Sequence, residues 1–283
     1  MNQVFNLNRF LLLFIKHWSE NRKKYLLGLL ALMGIILAWF GFQFLIEPMA
    51  PMGTGVQLGT YFVGLFIAGC LYGSTLFADL SSKSRGTNYL SVPASHLEKT
   101  ICTLLYGVVI FFLFYTLVFY IADIIMVQVG NVVAHHFWTK NHVPGAVFEP
   151  QSVINVFWTG KDLQSEGHNV FFYILLGYFA LQSAYLLGSV YFSRYSFIKT
   201  TVGLLFVCLL IIVFVGKIVG SFMPDGNFYD SLATYRLNNG NDASEKIVRL
   251  PEWVNTVSLF LLKYTFPPVF WIATYFRVKE KEL

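Results

Sequence analysis

Residues 101–122 read ICTLLYGVVIFFLFYTLVFYIA, an unbroken apolar run without one charged side chain. This stretch decides the fold class. A helix that crosses the hydrocarbon core of a bilayer needs roughly 20 consecutive apolar residues, and the run supplies that length. It is too long for a strand. In lipid every backbone N–H and C=O must be satisfied internally, so only helices and closed barrels span a membrane. The alternating pattern of barrel strands is absent from the chain.

Working outward, similar runs fall at about 25–46, 58–78, 170–192, 200–222 and 254–276. The run at 101–122 continues as an exposed helix toward Gly130. Ahead of the first run, Leu7, Phe10, Leu11, Phe14 and Trp18 share one side of a helix, while Arg9, Lys16, Glu20 and Lys23 lie mostly elsewhere around it. Residues 1–24 therefore read as an interfacial helix lying along the headgroups. A signal peptide fits poorly, because the apolar stretch after Arg22-Lys23-Lys24 is too long and no A-x-A site follows. The expected fold is all-α: one membrane domain over 1–283, with about six transmembrane helices behind an amphipathic N-terminal helix.

Composition agrees. Apolar residues make up 56% of the 283 and charged residues 12%, with mean hydropathy +0.59. Soluble domains carry about 25% charged residues, so too few remain here to cover a globular surface. Aromatics reach 18%, which suits lipid-facing Phe and interfacial Tyr and Trp. The net charge of +5 is a topological signal, since no basic patch interleaved with stacking aromatics indicates nucleic acid.

The basic residues set the orientation. With the N-terminus in the cytoplasm, the inner segments hold Arg9, Lys16, Arg22, Lys23, Lys24, Lys83, Arg85, Lys99, Arg194, Lys199, Arg277, Lys279 and Lys281. The outer loops, about 131–169 and 223–253, hold only Lys140, Lys161, Arg236, Lys246 and Arg249. That bias puts both termini inside.

Several chemistries lack their residues. There is no GxxxxGK[ST] phosphate loop and no HExxH. Gly73-Ser74 and Gly188-Ser189 suggest a serine nucleophile, but the six histidines sit at or beyond span ends, out of reach as bases. His135 and His136, with His142 nearby, point apart on a helix or strand and make a poor metal site. Cys70, Cys102 and Cys208 all lie in apolar runs without a CxxC pair and read as buried structural thiols. No cofactor is expected.

Charges within spans carry more information. Lys263 lies near the middle of the last span, where a bare charge costs at least about 2.5–3.5 kcal/mol. A carboxylate, water or a helix end should compensate it. It either lines a translocation pathway, or bonds backbone freed near Pro267-Pro268, or snorkels through a tilted helix. Lys217 is placed to snorkel outward. Asp123 reads as interfacial, at the outer end of its span, with either lysine as a possible partner. Small residues recur four apart at Gly69/Gly73, Ala180/Ala184/Gly188 and Gly216/Gly220, the spacing that lets helix backbones approach closely.

The connection from Asp79 to Lys99 reads DLSSKSRGTNYLSVPASHLEK. Ser95 and Glu98 form a capping-box pattern leading into the run at 101–122, and Pro93 suits a first helical turn. The segment is either a capped connection or a short helix offered to a cytoplasmic partner.

On these features the chain resembles bacterial type-2 ABC-transporter permeases over nearly its whole length. The particular likenesses are the run from Leu90 to Lys99 (LSVPASHLEK) and the tail from Tyr275 to Lys281 (YFRVKEK). The resemblance implies a subunit of an exporter in the bacterial cytoplasmic membrane. It would be a homodimer or pair with a related permease, and a separate ATP-binding subunit would drive it. Residues 79–99 would be the coupling loop, with Ser91, Pro93, Ser95, His96, Glu98 and Lys99 facing the ATPase. The segment between the last two spans would hold short re-entrant or outer helices, but Pro224-Asp225-Gly226 and Asn238-Asn239-Gly240-Asn241 are too polar for re-entry. A structural or sensory membrane subunit and a membrane enzyme are the other classes, and no converging acid–base set within the spans favours the enzyme.

Overall fold

The computed structural model describes residues 5–48, 52–81, 86–87, 91–141, 148–157, 164–165, 168–222, 226–228, 234–237, 246–249 and 251–281. The stretch quoted first lies inside one long helical rod. Helix α3 (His96–Leu104) runs through a π-helical turn (Leu105–Ile110) into α4 (Phe111–Asn141). The rod outlasts its apolar run because neither Gly nor Pro interrupts residues 108–129.

The N-terminal segment differs from the expected two pieces. Helix α1 (Leu7–Ile46) is one continuous element of 40 residues, about 60 Å at 1.5 Å per residue. Residues 7–27 contain no Gly or Pro, so nothing in the backbone chemistry stops the helix at the basic cluster. Asn6 caps it, its side-chain oxygen accepting from the Asn8 and Arg9 amides at 3.0 and 3.4 Å.

Helix α2 (Thr54–Thr75) ends in a tight turn at Ala78–Ser81. Helices α5 (Val170–Tyr191) and α6 (Ser196–Phe222) form a close hairpin in which Tyr195 takes φ 56°. The expected last span is two shorter helices, α7 (Glu252–Tyr264) and α8 (Phe266–Lys281), meeting at Thr265. Pro267 and Pro268 fall in the first turn of α8, where a missing N–H is tolerated, and cannot continue α7. Among the described residues five helices are long and apolar enough to cross a membrane: Leu7–Ile46, Thr54–Thr75, His96–Lys140, Phe171–Tyr191 and Ser196–Phe214.

The rest of the regular structure is small, and the fold remains a helical membrane bundle. A two-residue ladder pairs β1 (Gln164–Ser165) with β2 (His168–Asn169). An antiparallel meander, β3 (Gly226–Phe228), β4 (Thr234–Leu237) and β5 (Lys246–Arg249), follows α6. The polar runs singled out in that segment, Pro224-Asp225 and Asn238–Asn241, lie outside the described residues, as do Ser82–Arg85 and Asn88–Leu90 of the 79–99 connection.

The main core joins α1, α2, α4 and α5 around Phe40, Tyr61, Leu65, Tyr115, Phe119 and Tyr178. Between helices in lipid, van der Waals packing and hydrogen bonds hold the bundle rather than a hydrophobic drive. At Gly69, Gly73 and Gly188 the small-residue spacing serves that packing within the chain. A Cβ at Gly69 would lie 2.5 Å from the Tyr178 ring, and one at Gly73 would lie 3.3 Å from the Gln182 carbonyl. One at Gly188 would strike Thr200 of α6. A second, smaller core gathers Phe77, Leu186, Val190 and Val278 where α2, α5 and α8 converge.

Candidate functional site

The sequence points to the start of α3, and the structure builds that region around one carboxylate. The capping box forms: the Ser95 hydroxyl accepts from the Glu98 amide at 3.2 Å, and Glu98 accepts from the Ser95 amide at 2.9 Å. Glu98 then does more than cap. Its Oε1 also accepts from the Asn6 amide and from Arg9 Nη2, both at 2.7 Å, and its Oε2 accepts from Arg9 Nε at 2.7 Å. A fork of this kind is a strong, geometrically specific ion pair. The Glu98 side chain is 0% exposed and that of Arg9 37%. Glu98 precedes the apolar stretch that begins at Ile101. Burial pushes its carboxyl up, but Arg9 and the Asn6 and Ser95 amides outweigh that and hold it at about 2.

One carboxylate thus ties the first turn of α1 to the first turn of α3. The six residues singled out in the connection consequently fall into two groups. Ser91 and Pro93 are exposed, Ser95 and His96 are half-buried, and Glu98 and Lys99 are buried. The turn at 91–94 projects from a base that side-chain chemistry has locked. Above the junction the Tyr106 hydroxyl donates to the Phe14 carbonyl at 2.9 Å, and its ring stacks on Phe14 and tilts against His17. Tyr106 belongs to the π-helical turn, whose Gly107 carbonyl accepts from the Gln182 amide of α5.

Lys263 has a partner of a kind the sequence left unspecified. Its Nζ donates to the Tyr173 hydroxyl at 3.2 Å and lies 4.4 Å from that ring's centroid. It also stands in the last turn of α7, where the helix dipole favours a cation.

Asp123 corrects its expectation. Because α4 continues to Asn141, the residue sits mid-helix and fully buried. It pairs with neither lysine: among the described residues neither carboxylate oxygen has a hydrogen-bond partner.

Sequence reasoning missed a strap. Residues 148–157 run without regular structure against α2 and α4, stapled by three side chains. Asn131 donates to the Gln151 carbonyl and accepts from its amide, both at 2.8 Å. Gln57 accepts from the Ile154 amide at 2.9 Å and donates to the Ser152 and Met52 carbonyls at 3.2 and 2.6 Å. The Tyr120 hydroxyl accepts from the Val156 amide at 3.0 Å. The buried Ile154 and Val156 alternate along the strap, the only local signal it leaves in the sequence.

Cys70 and Cys102 are buried as expected, whereas Cys208 is exposed on α6. Among the described residues no group of three or more His, Cys, Asp or Glu gathers to hold a metal ion. His142 lies outside them.

Comparison with protein-family models, curated proteins and solved structures gives no match. The class therefore follows from the helices themselves: their length and composition define a multi-pass helical membrane protein.

Proposed function

We propose that the chain is the permease subunit of a bacterial ATP-binding-cassette exporter. It sits in the cytoplasmic membrane with both termini inside, as a homodimer or beside a related permease, and an ATPase on a separate chain drives it. The observation that carries this reading is the Arg9–Glu98–Ser95 junction beneath an exposed turn. A partner that works a membrane helix from outside the bilayer needs a protruding contact and a stiff joint behind it. Ser91 and Pro93 supply the first, and the buried Glu98 fork supplies the second. On this reading the partner carries the phosphate-binding loop and hydrolyses ATP.

Photo-cross-linkers at Ser91 and Pro93 test the proposal in intact cells. The expected product is a cross-link to one P-loop ATPase, which also co-purifies with the chain. Full activity in cells without any such ATPase overturns it. Orientation has its own test: in a variant without the three native cysteines, a cysteine at Lys140 labels with an impermeant thiol reagent in intact cells. One at Ser84 labels only after lysis.

A further inference from the structure

Helix α1 packs on the α3–α4 rod through His17, Trp18 and Tyr25, against Tyr106 and Phe114, and again through Phe40 against Phe119. Beside these contacts, Gly28, Leu32 and Ile35 of α1 and Ile110 and Phe111 of the rod line a groove of about 360 Å³, closed on its third side by α2. That volume falls in the range of small-molecule sites, roughly 300–1,000 Å³. Its walls are apolar, formed by residues such as Leu32, Ala68, Tyr72 and Phe111, and Gly28 leaves one of them bare.

We infer that this groove holds an acyl chain of an anionic glycerophospholipid whose phosphate sits on Lys24. Charge decides the occupant. Lys24 is exposed and lines the groove, and the exposed Arg22 and Lys23 precede it in the chain. The one carboxylate in this stretch, Glu20, faces Lys16 at 3.7 Å. Trp18 and Tyr25 also line the groove near the basic cluster, as amphipathic rings do at headgroup level. Basic pockets beside membrane helices recognise anionic headgroups in this way, while a dry apolar cavity takes an apolar chain. The inference rests on the membrane reading of the helices and not on the transport proposal.

Native mass spectrometry of the full chain released from nanodiscs of mixed phosphatidylglycerol and phosphatidylcholine tests it. The wild-type chain retains phosphatidylglycerol in preference. Lys24→Gln lowers that preference roughly fivefold, the effect of one basic residue at an anionic surface. Gly28→Leu fills the groove, since an added Cβ there meets nothing within 4 Å, and retention of both lipids falls. Equal retention of the two lipids by wild type, or undiminished phosphatidylglycerol on the Gly28→Leu chain, overturns the inference alone. A chain that does not enter nanodiscs overturns the membrane reading and the inference with it.

Discussion

The two flanks of α2 are packed by opposite means. Toward α5 the backbones close on one another, with Gly69 under the Tyr178 ring, Gly73 against the Gln182 carbonyl, and no room for even one added methyl. Toward α1 the same helix faces a gap, and a methyl added at Gly28 meets no atom. A glycine in a membrane helix thus has no single meaning. On one flank it is an obligatory contact, and on the other it is empty space. The α5 seam closes backbone on backbone, whereas α1 leaves a lined groove between its contacts at Tyr25 and at Phe40.

The largest expected effect strikes the seam. Gly69→Leu must displace Tyr178, and overpacking of this kind costs about 1–3 kcal/mol. A full isobutyl group puts it at the upper end. Thermal melting in detergent should show a large fall, while Gly28→Leu melts at or slightly above wild type, because Gly is about 1 kcal/mol worse than a good former in a helix interior. Equal losses at the two positions would erase the distinction between the flanks.

The next effect tests how α1 is pinned. Arg9→Gln leaves the fully buried Glu98 carboxylate without its cation, and the expected loss is about 2–3 kcal/mol. Glu98→Gln leaves a partly exposed Arg9 that can turn to water, and the amide still caps Ser95. The expected loss there is about half as large, on the order of 1 kcal/mol. The pH dependence follows from the lowered carboxyl. Its stabilisation is complete above the ordinary carboxyl value of 4.5 and fades as pH falls toward about 2. The melting gap between wild type and Glu98→Gln therefore stays constant from pH 8 to 5 and narrows only in stronger acid. A gap that shrinks near neutral pH would remove Glu98 from this role.

The smallest effect concerns Lys263, outside both flanks. Its partner Tyr173 is neutral, so Lys263→Met strands no carboxylate. The loss should stay within about 1 kcal/mol, the scale of an exposed cation–π contact. A pathway role predicts in addition a fall in substrate-stimulated ATPase activity of the reconstituted transporter at an unchanged melting temperature.

How much of this was written in the sequence depends on contact range. The apolar runs gave the helices, because span length is a local property of lipid thickness. The Ser95–Glu98 box was legible three residues apart, and the Gly69/Gly73 spacing marked a real seam. The fork between Arg9 and Glu98 was not, since the partners are separated by 89 residues and each looks ordinary in its own segment. The break in the last span had its signal in Pro267-Pro268, yet apolar length alone argued for a single helix. Asp123 was misplaced because its burial comes from packing that its own segment does not show.

The strap has a consequence for biogenesis. Gln57 receives the Ile154 amide from 97 residues downstream. On a ribosome working at about 5–20 residues per second, α2 emerges roughly 5–20 seconds before that partner exists. For that interval its amide must stay in water, in the translocation machinery or against another polar group, since lipid offers none. The order of synthesis therefore leaves α2 without this partner for Gln57 until residues 151–156 have been made.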